Sequence, residues 1–167
     1  MNSLLVKRPL AYFIDFMIIC SACILPQLIS FWLFNGVPFK YFTQPYHVYL
    51  WVLLTVSLPV WLYFILQEMS IKQSTIGKRI MHLKVTDKDN LRISKEKSFT
   101  RTFIKLLPWE ISHAALLPIY FSKDPQLNIG LYVANGFILV FIIYFIVKKG
   151  KTAIHDVLPN TRVVLDR

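Results

Sequence analysis

The chain has 167 residues, the size of one domain, yet 55% are apolar and only 17% are charged, which is too apolar for an ordinary soluble domain. Its net charge of +10 is carried by Lys and Arg gathered between long apolar runs. That pattern argues against a nucleic-acid-binding module and for a membrane protein with basic cytoplasmic loops.

The first apolar run extends from Leu10 to Phe34 with one charge, Asp15. About 20 apolar residues cross the hydrocarbon, so this run is long enough to span. It exceeds a signal-peptide core and has no clear small-residue cleavage site, so it is expected to be retained. Pro26 predicts a kink. Cys20 and Cys23 share one helical face and read as packing residues, since nothing nearby completes a metal site. Asn35-Gly36-Val37-Pro38 ends the helix.

A second span is expected from His47 to Leu66, with Tyr46, Tyr49 and Trp51 at the interface and a bend at Pro59. Residues 67–103 form a small cytoplasmic insertion. Ile80–Val85, the turn Asp87–Asn90 and Leu91–Ile93 suggest a β-hairpin within it. Ser98 is expected to cap a helix beginning near Phe99, amphipathic at first and suited to the membrane surface. A third span, Ile104 to Phe121, contains Glu110, His113, Pro108 and Pro118, and either crosses or re-enters. Ser122-Lys123-Asp124-Pro125 breaks it. The fourth, Ile129 to Val147, is the cleanest apolar run, closed by Lys148-Lys149-Gly150-Lys151. The tail Thr161–Leu165 reads as a short strand or a surface segment. No repeat is evident.

With the N-terminus inside and four crossings, Lys7, Arg8, the ten Lys and Arg from Lys72 to Lys105, and the residues from Lys148 onward all face the cytoplasm. Only Lys40 and Lys123 face out, as the positive-inside bias requires. The expected fold is an all-α membrane bundle of four transmembrane helices in one unit, with both ends cytoplasmic.

Chemistry centres on a few polar residues. Arg8 and Asp15 are seven residues apart and share a helix face. A carboxylate two turns into a span is costly and needs a partner, a proton or an ion. Asp15 is therefore either a proton or cation site or a polar lock on packing. Glu110 and His113 also share a face, and read either as a relay or as an interfacial acid beside Trp109 that stays wet. Thr75-Ile76-Gly77-Lys78 lacks the glycine spacing of a phosphate loop. Gly77 is expected to supply a turn, and Lys78 and Arg79 to meet anionic headgroups. Asp156 is expected to pair with Arg8 or Arg101 rather than to act with His155 in catalysis.

Together these residues resemble the RDD family of bacterial membrane proteins. Arg8-Pro-Leu-Ala-Tyr-Phe-Ile-Asp15 is similar to its first-helix signature, and Thr75-Ile-Gly-Lys-Arg-Ile-Met-His-Leu-Lys-Val85 to its second motif. Arg101 resembles a basic residue of its third helix region, and His155-Asp156 with Thr161–Val164 its closing motif. The resemblance maps the name-giving residues to Arg8, Asp15 and Asp156. Pro9 and His82 depart from the pattern. It implies a bacterial cytoplasmic membrane; sodium or proton antiport has been proposed for some members. Two readings follow. In one, Asp15 binds Na+, K+ or H+ in proton-coupled cation transport by a homo-oligomer, with Arg8 tuning its pKa. In the other, the protein is a non-transporting scaffold or accessory factor that meets anionic lipid or a partner protein. Neither calls for a cofactor, a metal, nucleic acid or a catalytic residue.

Overall fold

The computed structural model describes residues 3–121 and 128–166. Helix α1 (Ser3–Leu33) begins before the apolar run, so Arg8 lies inside the helix. Gln27 donates to Cys23 O at 2.8 Å beside Pro26. The second apolar rod, Pro45–Glu68, comprises α2 (Pro45–Val52), a π turn at Leu53–Ser57 and α3 (Leu58–Glu68). Pro59 lacks an N–H and its ring crowds the preceding turn; the wider π turn just before it accommodates the proline.

The insertion holds α4 (Ile76–Ile80) and β1 (Leu83–Asp87). The expected hairpin is corrected here. Asp87–Asn90 does turn, but β1 pairs with the C-terminal β2 (Thr161–Leu165), antiparallel, with Val85 opposite Val163. Leu91–Ile93 is not a strand. Ile93 is instead buried with Ala11, Leu83, Val85 and Val163 in a core that seats this sheet on the start of α1. The tail therefore supplies the partner that a local reading gave to residues 91–93.

Helix α5 (Lys95–Phe121) is continuous, with no break between its amphipathic start and its apolar remainder. Its cap is corrected as well: Ser94 Oγ accepts from Lys97 N at 3.3 Å, whereas Ser98 lies inside the helix and donates to Ile65 O at 3.0 Å. Helix α6 (Ile129–Val147) follows, and a short α7 (Ile154–Val157) precedes β2. Ser122–Pro125, including Lys123, lies outside the described residues.

Among the described residues three stretches, Leu4–Leu33, Pro45–Glu68 and Ile129–Val147, are long and apolar enough to cross a membrane, and the expected third span in α5 is not one of them. Their apolar side chains point away from the protein: Trp32 is 82% exposed and Ile146 58%. Apolar surface of that extent is solvated by lipid, not water. The chain is a multi-pass membrane protein. Where the α1–α2 connection turns, Phe39 and Phe42 gather around Trp51 with centroids 6.3 and 5.9 Å away. Trp51 Nε1 donates to Gln27 Oε1 at 2.8 Å.

Candidate functional site

Opposite that aromatic turn, the start of α1, the end of α3, the start of α5 and the segment after α6 converge on buried charge. Asp156 sits in the first turn of α7, where its Oδ2 accepts from Ala153 N at 2.7 Å. The same oxygen accepts from Arg8 Nη2 at 2.7 Å, and Oδ1 accepts from Arg101 Nη1. Arg8 Nη1 also donates to Gly150 O and Lys151 O, at 3.2 and 3.1 Å. Gly150 has φ +73°, and a Cβ there would lie 2.6 Å from the Leu5 backbone. Glycine thus lets the post-α6 turn press onto α1 and aim its carbonyl at Arg8.

Glu68, the last residue of α3, is fully buried. It accepts from Arg101 Nε at 2.8 Å, Lys78 Nζ at 2.5 Å and Lys105 Nζ at 3.1 Å. Arg101 Nη1 also donates to Thr161 Oγ1 at 2.9 Å. Arg101 and Lys105 are one turn apart on α5, so a single face delivers both. In these pairs four basic side chains, Arg8, Lys78, Arg101 and Lys105, meet two carboxylates. Burial alone would raise the Asp156 carboxyl, but the Arg101 and Arg8 charges hold it far below the usual carboxylate range. Burial keeps the His155 imidazole well below its ordinary value, with the nearby cations adding to the effect. Burial likewise pulls the Lys78 ammonium down against the opposing pull of Glu68.

Asp15 lies apart from this ion-pair set. The expected Arg8–Asp15 constellation does not form; Arg8 is committed to Asp156. Asp15 is 1% exposed and is held by neutral donors. Tyr63 Oη and Gly77 N donate to Oδ1 at 2.6 and 2.7 Å, and Thr75 Oγ1 donates to Oδ2 at 2.6 Å. Gly77 does not supply a turn. It stands in the first turn of α4, where a Cβ would meet Ala11 O at 2.1 Å, so only glycine lets α4 approach α1 this closely. Lys78 is turned inward to Glu68, and Arg79 donates to Gln67 Oε1.

Midway along α5, Glu110 accepts from Ser57 Oγ at 3.0 Å and Trp61 Nε1 at 2.9 Å. It is bonded to the α2–α3 rod rather than left wet. His113 Nδ1 is 3.5 Å from Ser57 Oγ. Cys20 and Cys23 are free, and among the described residues no group of three or more His, Cys, Asp or Glu could hold a metal.

Sequence reasoning missed Glu68, Lys105, Tyr63 and Thr161. The available signal for Glu68 was a carboxylate ending an apolar run just ahead of ten cations. For Lys105 it was the i, i+4 spacing from Arg101.

The family model described as RDD family matches residues 3–160, nearly the whole chain, so the protein belongs to the RDD family. No curated protein and no solved structure matches it.

Proposed function

We propose that this RDD-family protein crosses the cytoplasmic membrane four times with both ends inside. It acts as a non-transporting accessory or scaffold protein that engages anionic lipid through its basic cytoplasmic side. Two observations support four crossings. Arg8, Glu68, Arg101 and Gly150 lie at one end of the bundle, so the chain returns there after α3 and again after α6. At the other end, Asn128 Nδ2 donates to Ala115 O, bringing the start of α6 level with α5. From Ile104 to Phe121, α5 rises about 25 Å at 1.5 Å per residue, close to the hydrocarbon thickness of about 30 Å. The basic residues of the insertion and of the post-α6 segment then share the inner side. Reporter tags fused after Phe34 and after Lys149 are expected in opposite compartments.

The observation that carries the non-transport reading is the set of three neutral donors that holds Asp15. A carrier site must exchange its proton or cation, yet three donors already occupy this carboxylate. A cation reaching it would also pass close to Lys78, Lys105, Arg8 and Arg101. The same three donors account for Asp15 as a lock fixing α4 against α1, and the site has no catalytic role in this reading. The test is purified protein in vesicles that enclose a pH-sensitive dye, with sodium or potassium applied across the membrane. No cation-dependent proton flux above empty vesicles is expected. Flux that disappears in a folded Asp15→Asn variant would overturn the reading in favour of proton-coupled transport.

A further inference from the structure

A cavity of about 690 Å³ separates α1 from α6 on the side of the charged cluster. Helix α6 packs on α5 and α7, whereas α1 packs on α4 and the π turn, so the two face one another across this space. Its polar lining consists of the four basic side chains Arg8, Lys78, Arg101 and Lys105 together with Asp15 and His155. Its walls are Pro9 and Tyr12 on one side and Phe141, Ile142 and Phe145 on the other. Ile142 and Ile146 also border it and are exposed on the outer surface of α6, so the space communicates with the lipid.

It is far larger than the space one water molecule needs. Protein interiors hold few voids larger than one water, so a space this large that opens onto lipid has an occupant. Water suits the cationic end but not the aromatic and aliphatic walls. A hydrocarbon chain suits the walls but leaves the cations facing apolar matter, which is expensive. An amphiphile with a negatively charged head satisfies both parts.

We propose that the cavity between α1 and α6 binds one anionic phospholipid, its phosphate against the Arg8–Lys78–Arg101–Lys105 cluster and an acyl chain along Ile142 and Phe145. The four basic groups outnumber the neighbouring carboxylates Glu68, Asp156 and Asp15 by one, which selects a lipid with a net negative head. A zwitterionic lipid brings its own ammonium into the same space and loses that attraction. This rests on the non-transporting reading of the same end of the molecule.

The test is lipid titration of the detergent-purified protein, followed by native mass spectrometry, with phosphatidylglycerol and phosphatidylcholine as probes. One charge-assisted interaction corresponds to about a ten- to hundredfold preference. Phosphatidylglycerol is therefore expected to bind at one site at least tenfold more tightly than phosphatidylcholine. Lys105→Gln should remove most of that preference. Ile142→Trp, which fills the chain portion without touching a charge, should abolish the saturable site in a protein that still melts normally. Equal binding of the two lipids overturns the proposal. So does an Ile142→Trp variant that still binds phosphatidylglycerol tightly, or full displacement of the lipid by inorganic phosphate. Cation flux in phosphatidylglycerol vesicles is a separate readout. Flux would sink the non-transporting reading, whereas lost lipid selectivity with no flux would sink the lipid site alone.

Discussion

The two ends of the bundle are fastened by different forces. At the aromatic end, Phe39, Phe42 and Trp51 lean on one another around Gln27, and most of these side chains stay partly exposed. Each such ring pair is worth about 0.5–1.5 kcal/mol and tolerates changed angles. At the charged end, Arg8, Glu68, Arg101 and Asp156 are at most 9% exposed and joined by directed hydrogen bonds. Removing one partner there strands a charge away from water, which costs about 3–5 kcal/mol. The first kind of fastening degrades gradually. The second holds until one member is lost, and it fixes which helix ends meet.

The sharpest attempt to break this contrast is Asp156→Asn. It leaves two guanidiniums without their shared carboxylate, and a loss of about 3–5 kcal/mol is expected. The readout is a collapse of monodisperse yield and melting temperature in detergent. An Asp156→Asn protein that melts like wild type would show the charged end to be no more demanding than the aromatic one. Gly77→Ala comes next. Its new Cβ points at Ala11 O, and forcing α4 away from α1 should cost about 1–3 kcal/mol. Asp15→Asn removes no ion pair but turns one acceptor into a donor facing other donors. The expected loss is about 1–3 kcal/mol, at the low end because Asn keeps the shape.

His155 gives a pH test of the charged end. Its folded imidazole stays neutral below its ordinary pKa, whereas the unfolded one takes up a proton near about pH 6.5. Stability should therefore fall as pH drops below about 6.5, by at most about 1.4 kcal/mol per unit. His155→Gln should flatten that slope. Asp156 acts in the same direction much later. Its contribution is complete above about pH 4 and is lost only as pH falls through its depressed folded value. The smallest effect is expected at the other end, where Trp51→Phe loses one hydrogen bond to Gln27 and some ring contact, about 1 kcal/mol. If Trp51→Phe costs as much as Asp156→Asn, the contrast fails.

The apolar runs and the family were legible in the sequence, because bilayer thickness sets a length that few other constraints imitate. Helix ends were less so. Lys95 to Ser98 gave no apolar signal for a helix already under way, and Lys7 and Arg8 stood outside the apolar run although α1 includes them. The strand partner was unreadable locally, since Leu83–Asp87 pairs with residues some eighty positions away. The same holds for the polar residues. Spacing put Arg8 and Asp15 on one face, while Asp156 was the expected partner of Arg8 or Arg101; the full set of partners was not readable. What separates Arg8 from Asp15 is α4, whose glycine brings Thr75 and a backbone N–H to Asp15, while the turn at Gly150 and α7 take Arg8. Those elements arrive from distant segments, and no local pattern reports them.

The bond from Arg8 to Asp156 joins residues 148 positions apart. A ribosome adding 5–20 residues per second needs roughly 7–30 seconds to make that stretch. Throughout that interval the first helix carries a guanidinium whose destined counter-charge has not yet been synthesised. The nascent chain must keep that group wet or lend it another anion, and the bundle can close only after translation passes Asp156. Synthesis of Asp156 and closure of the fold are thus coupled events, and a product truncated upstream of that aspartate would carry its own mark of being unfinished.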